Sequence, residues 1–98
     1  MGLDIGIVLV SNKILLDQEE ARWMYREVTN RQGDSGWRVY SSTEDETYLS
    51  YPKNFGLLTA DQLIEIDDSL KVNLLAPIGS SFEKNNDNMW EVVDIGRG

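Results

Sequence analysis

Residues 23–40 restrict the fold most. Trp23-Met24-Tyr25-Arg26-Glu27 and Trp37-Arg38-Val39-Tyr40 are rich in aromatic and β-branched side chains, and Thr29, Asn30, Gly33, Asp34 and Gly36 lie between them. Strand-forming runs separated by turn-forming residues predict an antiparallel pair with a longer loop. Alternation places Trp23 and Tyr25 opposite Met24 and Arg26, and Trp37 and Val39 opposite Arg38 and Tyr40. Asp34-Ser35-Gly36 supplies a side-chain acceptor and a residue free to take positive φ where the second strand starts. A helix over 18–28 competes, because Ala21, Met24 or Tyr25, and Val28 recur at helical spacing. The three consecutive large residues at 23–25 favour the strand.

The other elements are shorter. Ile5 to Val10 is an apolar run broken only by Gly6, expected as a strand buried on both faces. Ser11-Asn12-Lys13 ends it, Ile14 to Leu16 resumes apolar character, and residues 17–20 form a solvated turn. Thr43-Glu44-Asp45-Glu46 has the form of a capping box with Thr43 as N-cap, and Pro52 limits the helix that follows. Residues 53–56 are expected as a turn. Thr59-Ala60-Asp61-Gln62 repeats the capping-box form before Leu63, and Asp67-Asp68-Ser69 introduces a helical turn carrying Leu70, Leu74 and Leu75, stopped by Pro77. Phe82-Glu83 and Met89 to Ile95 form a terminal hairpin across residues 85–88, and residues 96–98 form a frayed tail. Trp23, Trp37 and Trp90 each fall in an expected strand and read as core. The fold expected is α+β: an antiparallel or mixed sheet of about five strands with short helices from 43 to 76 on one face, in a single domain over 1–98.

Composition removes most chemistry. The chain has no histidine and no cysteine, which excludes imidazole or thiolate catalysis, disulfides and the usual zinc sites. Its eight glycines make neither a P-loop nor a G-x-G-x-x-G motif, so no nucleotide cofactor is expected, nor any other. The oxygen-ligand runs Glu44-Asp45-Glu46 and Asn85-Asn86-Asp87-Asn88 lack calcium-loop spacing and are explained as a helix cap and a hairpin turn, so no metal is assigned. Net charge is −8; residues 1–40 hold six acids against five bases, and residues 41–98 hold eleven against four. That field repels nucleic acid and anionic membranes and would speed encounter with a basic protein partner; the simpler reading is that the acids keep a small domain soluble. The apolar run at 5–10 is too short for a membrane span and has no basic leader before it, so a cytoplasmic location is expected.

Two surface clusters qualify as partner-binding candidates: Glu44, Asp45, Glu46 and Tyr48, and Asp67 with Asp68. Carboxylates beside a tyrosine suit arginine or lysine side chains of a partner. The same acids can serve as helix caps, and a carboxylate pair working as acid and base is a third use.

Ser11-Asn12-Lys13, Met24-Tyr25-Arg26-Glu27, Asp34-Ser35-Gly36-Trp37-Arg38, the acidic run leading to Tyr48-Leu49, and Pro77 to Glu83 occur in order along nearly the whole chain. Together they resemble the bacterial immunity-protein-33-like domain family. The resemblance implies a non-catalytic domain of polymorphic-toxin systems that protects its cell by binding a toxin, with Asp34, Gly36, Trp37 and Gly79 as structural residues. The alternatives are a regulatory protein-interaction or small-ligand domain unrelated to toxins, and a carboxylate-based hydrolase.

Overall fold

A computed structural model describes residues 4–93. Its elements in chain order are β1 (Ile7–Ser11), α1 (Asn12–Leu15), β2 (Trp23–Arg26), β3 (Asp34–Tyr40), α2 (Glu46–Leu49), a 3-10 turn (Pro52–Asn54), β4 (Phe55–Thr59), α3 (Ala60–Ile66), α4 (Leu70–Asn73), β5 (Ser81–Lys84) and β6 (Trp90–Val92). All six strands join one mixed sheet in the order β4-β1-β3-β2-β5-β6. The β1–β3 pairing is parallel and the other four are antiparallel. The fold is α+β, with one strand beyond the expected five.

The hairpin from 23 to 40 forms in the register Trp23 to Tyr40, Met24 to Val39, Tyr25 to Arg38 and Arg26 to Trp37. The competing helix is absent. Directly paired residues share a face, so Met24, Trp37 and Val39 point together into the core and Trp23, Tyr25, Arg38 and Tyr40 point the other way. Trp37 is fully buried and its Nε1 donates to the Leu74 carbonyl at 3.2 Å, tying the sheet to the end of α4. Arg26 lies over the Trp37 ring, 5.9 Å from its centroid, and donates to the Ser35 and Ala76 carbonyls, both at 2.9 Å. Val8, Val10, Ile14, Ala60, Leu63, Leu70 and Leu74 complete this core under α1, α3 and α4.

Several expectations are corrected. Trp23 lies on the face opposite the core, and Trp90 packs partly buried at the core's margin on the edge strand. β1 is buried on one face only: Val8 and Val10 are sealed, whereas Ile7 and Leu9 are half-buried. Ser11 ends β1 and caps α1, accepting from Lys13 N–H at 3.2 Å, so Ile14 is a helical core residue. The cap of α2 is Asp45, whose Oδ1 accepts from Tyr48 N–H at 2.8 Å. Glu44 instead holds the turn after β3, accepting from the Ser41 and Ser42 N–H groups at 2.9 and 3.0 Å, and Thr43 donates to Glu19. The helix therefore starts two residues late. Phe55 and Gly56, expected in a turn, begin the missed strand β4, which leads straight into the capping box of Thr59 and Gln62 that opens α3. α4 ends at Asn73, leaving Leu75 exposed. Asp94, Ile95 and the expected tail lie outside the described residues.

Gly36 has φ of +90°, and a Cβ there would overlap the carbonyl oxygen of Glu27, just after β2. Gly33 also has positive φ, +84°, but faces open space. Gly36→Ala should therefore cost about 2–4 kcal/mol, strain plus overlap, and Gly33→Ala about 1 kcal/mol, strain alone. Denaturant midpoints of the two variants check this; equal losses would contradict the close approach at Gly36.

Candidate functional site

α3 and α4 seal one face of the sheet. The other face has no such helical layer and is only partly covered: α2 places Leu49 and Tyr48 beside Phe55, and Tyr40 in mid-sheet is buried. Ile7 and Leu9 of β1, Leu57 and Phe55 of β4, Arg38 and Tyr40 of β3, and Trp23 and Tyr25 of β2 belong to this open face by register. Leu57 is 66% exposed.

An aromatic band crosses it. Trp23, Tyr25 and Tyr40 form a triangle with centroid separations of 5.3, 5.2 and 5.9 Å, and Tyr40 meets Phe55 edge-on at 6.0 Å. β1 runs between β3 and β4, and the small Ser11 at that level leaves room for Tyr40 and Phe55 to meet. Phe55 then contacts Tyr48, whose ring lies under Lys13 Nζ. The Tyr25 and Tyr40 hydroxyls are 3.3 Å apart, and burial, helped by that contact, raises the Tyr40 phenol well above its usual range. The Tyr40 phenol is thus kept as a neutral hydrogen-bonding group.

Beside the band, Arg38 donates to Asp34 at 3.0 and 2.9 Å through its two terminal nitrogens and to Glu27 at 2.7 Å through Nε. The Arg38 hydrogen bond depresses the Asp34 carboxyl far below its usual value against the opposing effect of burial, with Gly36 N–H and Thr29 adding to it. Two depressions flank the network. One, of about 580 Å³, lies between Ile7, Leu9, Leu57, the 29–33 loop and Leu49; the other, of about 340 Å³, is lined by Trp23, Tyr40, Ser42, Glu44, Leu49, Glu83 and Val93.

The six residues singled out by sequence do not form one cluster. Glu44 lines the smaller depression and Tyr48 meets Phe55 on the open face, while Asp45 and Glu46 lie between them in sequence at the exposed start of α2. Asp67 and Asp68 sit at the α3–α4 turn in the helical layer, where Asp67 accepts from Ser69 N–H and Oγ and lies 4.0 Å from Lys84. Asp68 and Glu46 are exposed. Trp23, Arg38, Leu57 and Glu83 were not singled out. Only the strand register shows that they share a face; their alternation in the sequence equally suits the core.

What the site offers chemically is an aromatic surface bordered by hydrogen-bonding and charged groups. Acid catalysis by a carboxyl group needs burial that keeps it protonated. The partly buried carboxylates Asp34 and Glu44 are shifted the other way; at Glu44, burial is outweighed by donors from Ser11 and Ser41. Among the described residues no three metal-ligating side chains converge, and no helix is long and apolar enough to cross a membrane.

The family model for the immunity protein Imm33 domain matches residues 8–94. Comparison with curated proteins and with solved structures found no match.

Because the folded-state value of Asp34 is depressed, its contribution to stability is present above its unfolded value near 4 and is lost as pH falls toward the folded value. Asp34→Asn should lower stability at neutral pH by about 2–3 kcal/mol and flatten its decline below about pH 4. Denaturation at a series of pH values tests this; parallel curves for the two proteins would refute the coupling.

Proposed function

We infer that this chain, which belongs to the Imm33 immunity-protein domain family, acts by binding a protein toxin and has no catalytic step of its own. One observation carries this reading: the sheet has one sealed face and one open face, and the open face presents an aromatic and aliphatic surface held rigid by the Arg38 network. Monomeric proteins seldom leave such a face uncovered unless something docks on it. Rigid aromatic rings are effective binding anchors because little side-chain entropy is lost when they are covered.

The setting proposed is a bacterial polymorphic-toxin system, with the protein in the cytoplasm of the toxin-producing cell. Its net charge of −8 suits a basic toxin domain. Asp45, Glu46 and Tyr48, beside the open face, are proposed to contact the partner, while Asp67 and Asp68 add to the attracting field from the helical side. Glu44 contributes charge while its oxygens hold the turn after β3. Neutralisation would follow from occlusion, with the acids accelerating encounter and the aromatic face slowing release.

The test is a tagged pull-down from the native bacterium, followed by calorimetry of the full chain against the recovered toxin at two salt concentrations. We expect one-to-one binding that weakens with salt. Leu57→Asp on the open face should weaken it at least about tenfold, and Val72→Asp on the helical side should leave it unchanged. Asp45→Asn, Glu46→Gln and Asp68→Asn together should slow association, since asparagine preserves the cap at 45. Equal effects of Leu57→Asp and Val72→Asp would overturn the assignment of the face.

A further inference from the structure

The smaller depression on the open face has a charge pattern that the described residues leave unbalanced. Two of its lining residues, Glu44 and Glu83, are acids, and none is basic. Glu83 stands directly opposite Trp23 on one side and Glu91 on the other. Like charges in direct register destabilise a strand pair. Nonetheless Glu83 makes no side-chain hydrogen bond or ion pair among the described residues, whereas Glu91 accepts from Asn85 at 2.9 Å.

The nearby cations among the described residues are committed elsewhere. Lys84 points to the helical side, 3.4 Å from Glu20 and over the Trp90 ring. Arg22 is held by the carbonyls of Lys84 and Asn85 and by Asn88, and Arg38 by Asp34 and Glu27. Three aromatic rings already carry an internal cation, Tyr48, Trp37 and Trp90; Trp23 and Tyr40 carry none among the described residues. Among the described residues, the depression thus combines a carboxylate without a side-chain partner, a second carboxylate kept ionised by its donors, and an indole with no cation over it.

We propose that the depression bounded by Trp23, Tyr40, Glu44 and Glu83 receives an arginine side chain of the protein partner. A planar guanidinium can stack on Trp23 while donating to Glu83, a combination that an ammonium group satisfies less completely. The like-charge pair of Glu83 and Glu91 is relieved when the cation arrives, so the cost held in the free protein favours the complex. This inference rests on the reading of the open face as the partner surface and adds the identity of one contact.

The pocket can be probed without the toxin. Isotope-labelled full chain is titrated with N-acetyl-arginine amide, and with N-acetyl-citrulline amide as the uncharged isostere, to concentrations on the order of 50 mM. Expected are shifts confined to the Trp23 indole, Tyr40 and Glu83 for the arginine compound, with affinity in the millimolar range, and none for citrulline. Glu83→Gln should weaken this binding about tenfold, and Glu65→Gln on α3 should not, with both variants folded as wild type. Shifts spread over all acidic surfaces, or no localised shift, would overturn the proposal. With the toxin in hand, Glu83→Gln should weaken the complex by a similar factor. If Leu57→Asp disrupts that complex and Glu83→Gln does not, the arginine pocket fails while the open-face reading stands; if no toxin binds yet arginine seats at Trp23, the failure belongs to the partner assignment.

Discussion

The sheet depends on how β3 starts. Ile7 is paired with Asp34 and Leu9 with Arg38, so two residues of β1 advance while four of β3 do. The surplus is absorbed at Ser35 and Gly36. Ser35 Oγ donates to the Ile7 carbonyl at 2.7 Å and accepts from Trp37 N–H at 3.1 Å, satisfying backbone groups that the irregular ladder would strand. Gly36 permits the positive φ and the close approach to Glu27. A surplus of two residues, unlike a surplus of one, keeps the alternation intact, so Trp37 still faces the core and Arg38 the open side. The compression also brings Asp34 and Arg38 together; in a regular strand they would be about 13 Å apart.

Both faces follow from this junction. On the sealed side, Trp37 reaches the Leu74 carbonyl and Arg26 reaches the Ala76 carbonyl, so the helical layer is fastened to the hairpin by two donors as well as by burial. On the open side, Arg38 bridges Asp34 and Glu27 and supports the aromatic band next to it. A face stiffened in this way loses little freedom when covered, which suits stoichiometric binding better than turnover. The family role and the geometry are consistent on that point: the chain offers a preformed surface, and its partly buried carboxylates Asp34 and Glu44 are held in the ionised form.

Much of the local architecture was legible. The hairpin was readable from aromatic and β-branched runs around turn residues, the Asx-type contact of Asp34 with Gly36 N–H from residue type, and the box of Thr59 and Gln62 from spacing. The misreadings have identifiable causes. Thr43 through Glu46 fits the capping pattern, but Glu44 is drawn back to Ser41 and Ser42 by the turn with Ser42 in positive φ, and the cap passes to Asp45. β4 escaped notice because Lys53-Asn54-Phe55-Gly56 looks like a turn, and Gly56 is a strand residue where Leu15 packs against it. Trp23 was read as core because a large aromatic in a strand usually is.

The sequence by itself determined the class of the protein: short strands and capped helices, no imidazole or thiol chemistry, an acidic surface, and a motif order characteristic of its family. These follow from residue type and nearest neighbours, which act within a few positions of the chain. Tertiary structure decided which face of each strand is buried, which acids adjoin one another, and that Trp23, Glu83, Arg38 and Leu57 share a surface. Alternation defines two faces without saying which one the helices will cover. That choice rests on contacts between residues far apart in sequence, Trp37 with Leu74 and Arg26 with Ala76, which form only when the helical layer closes over the sheet.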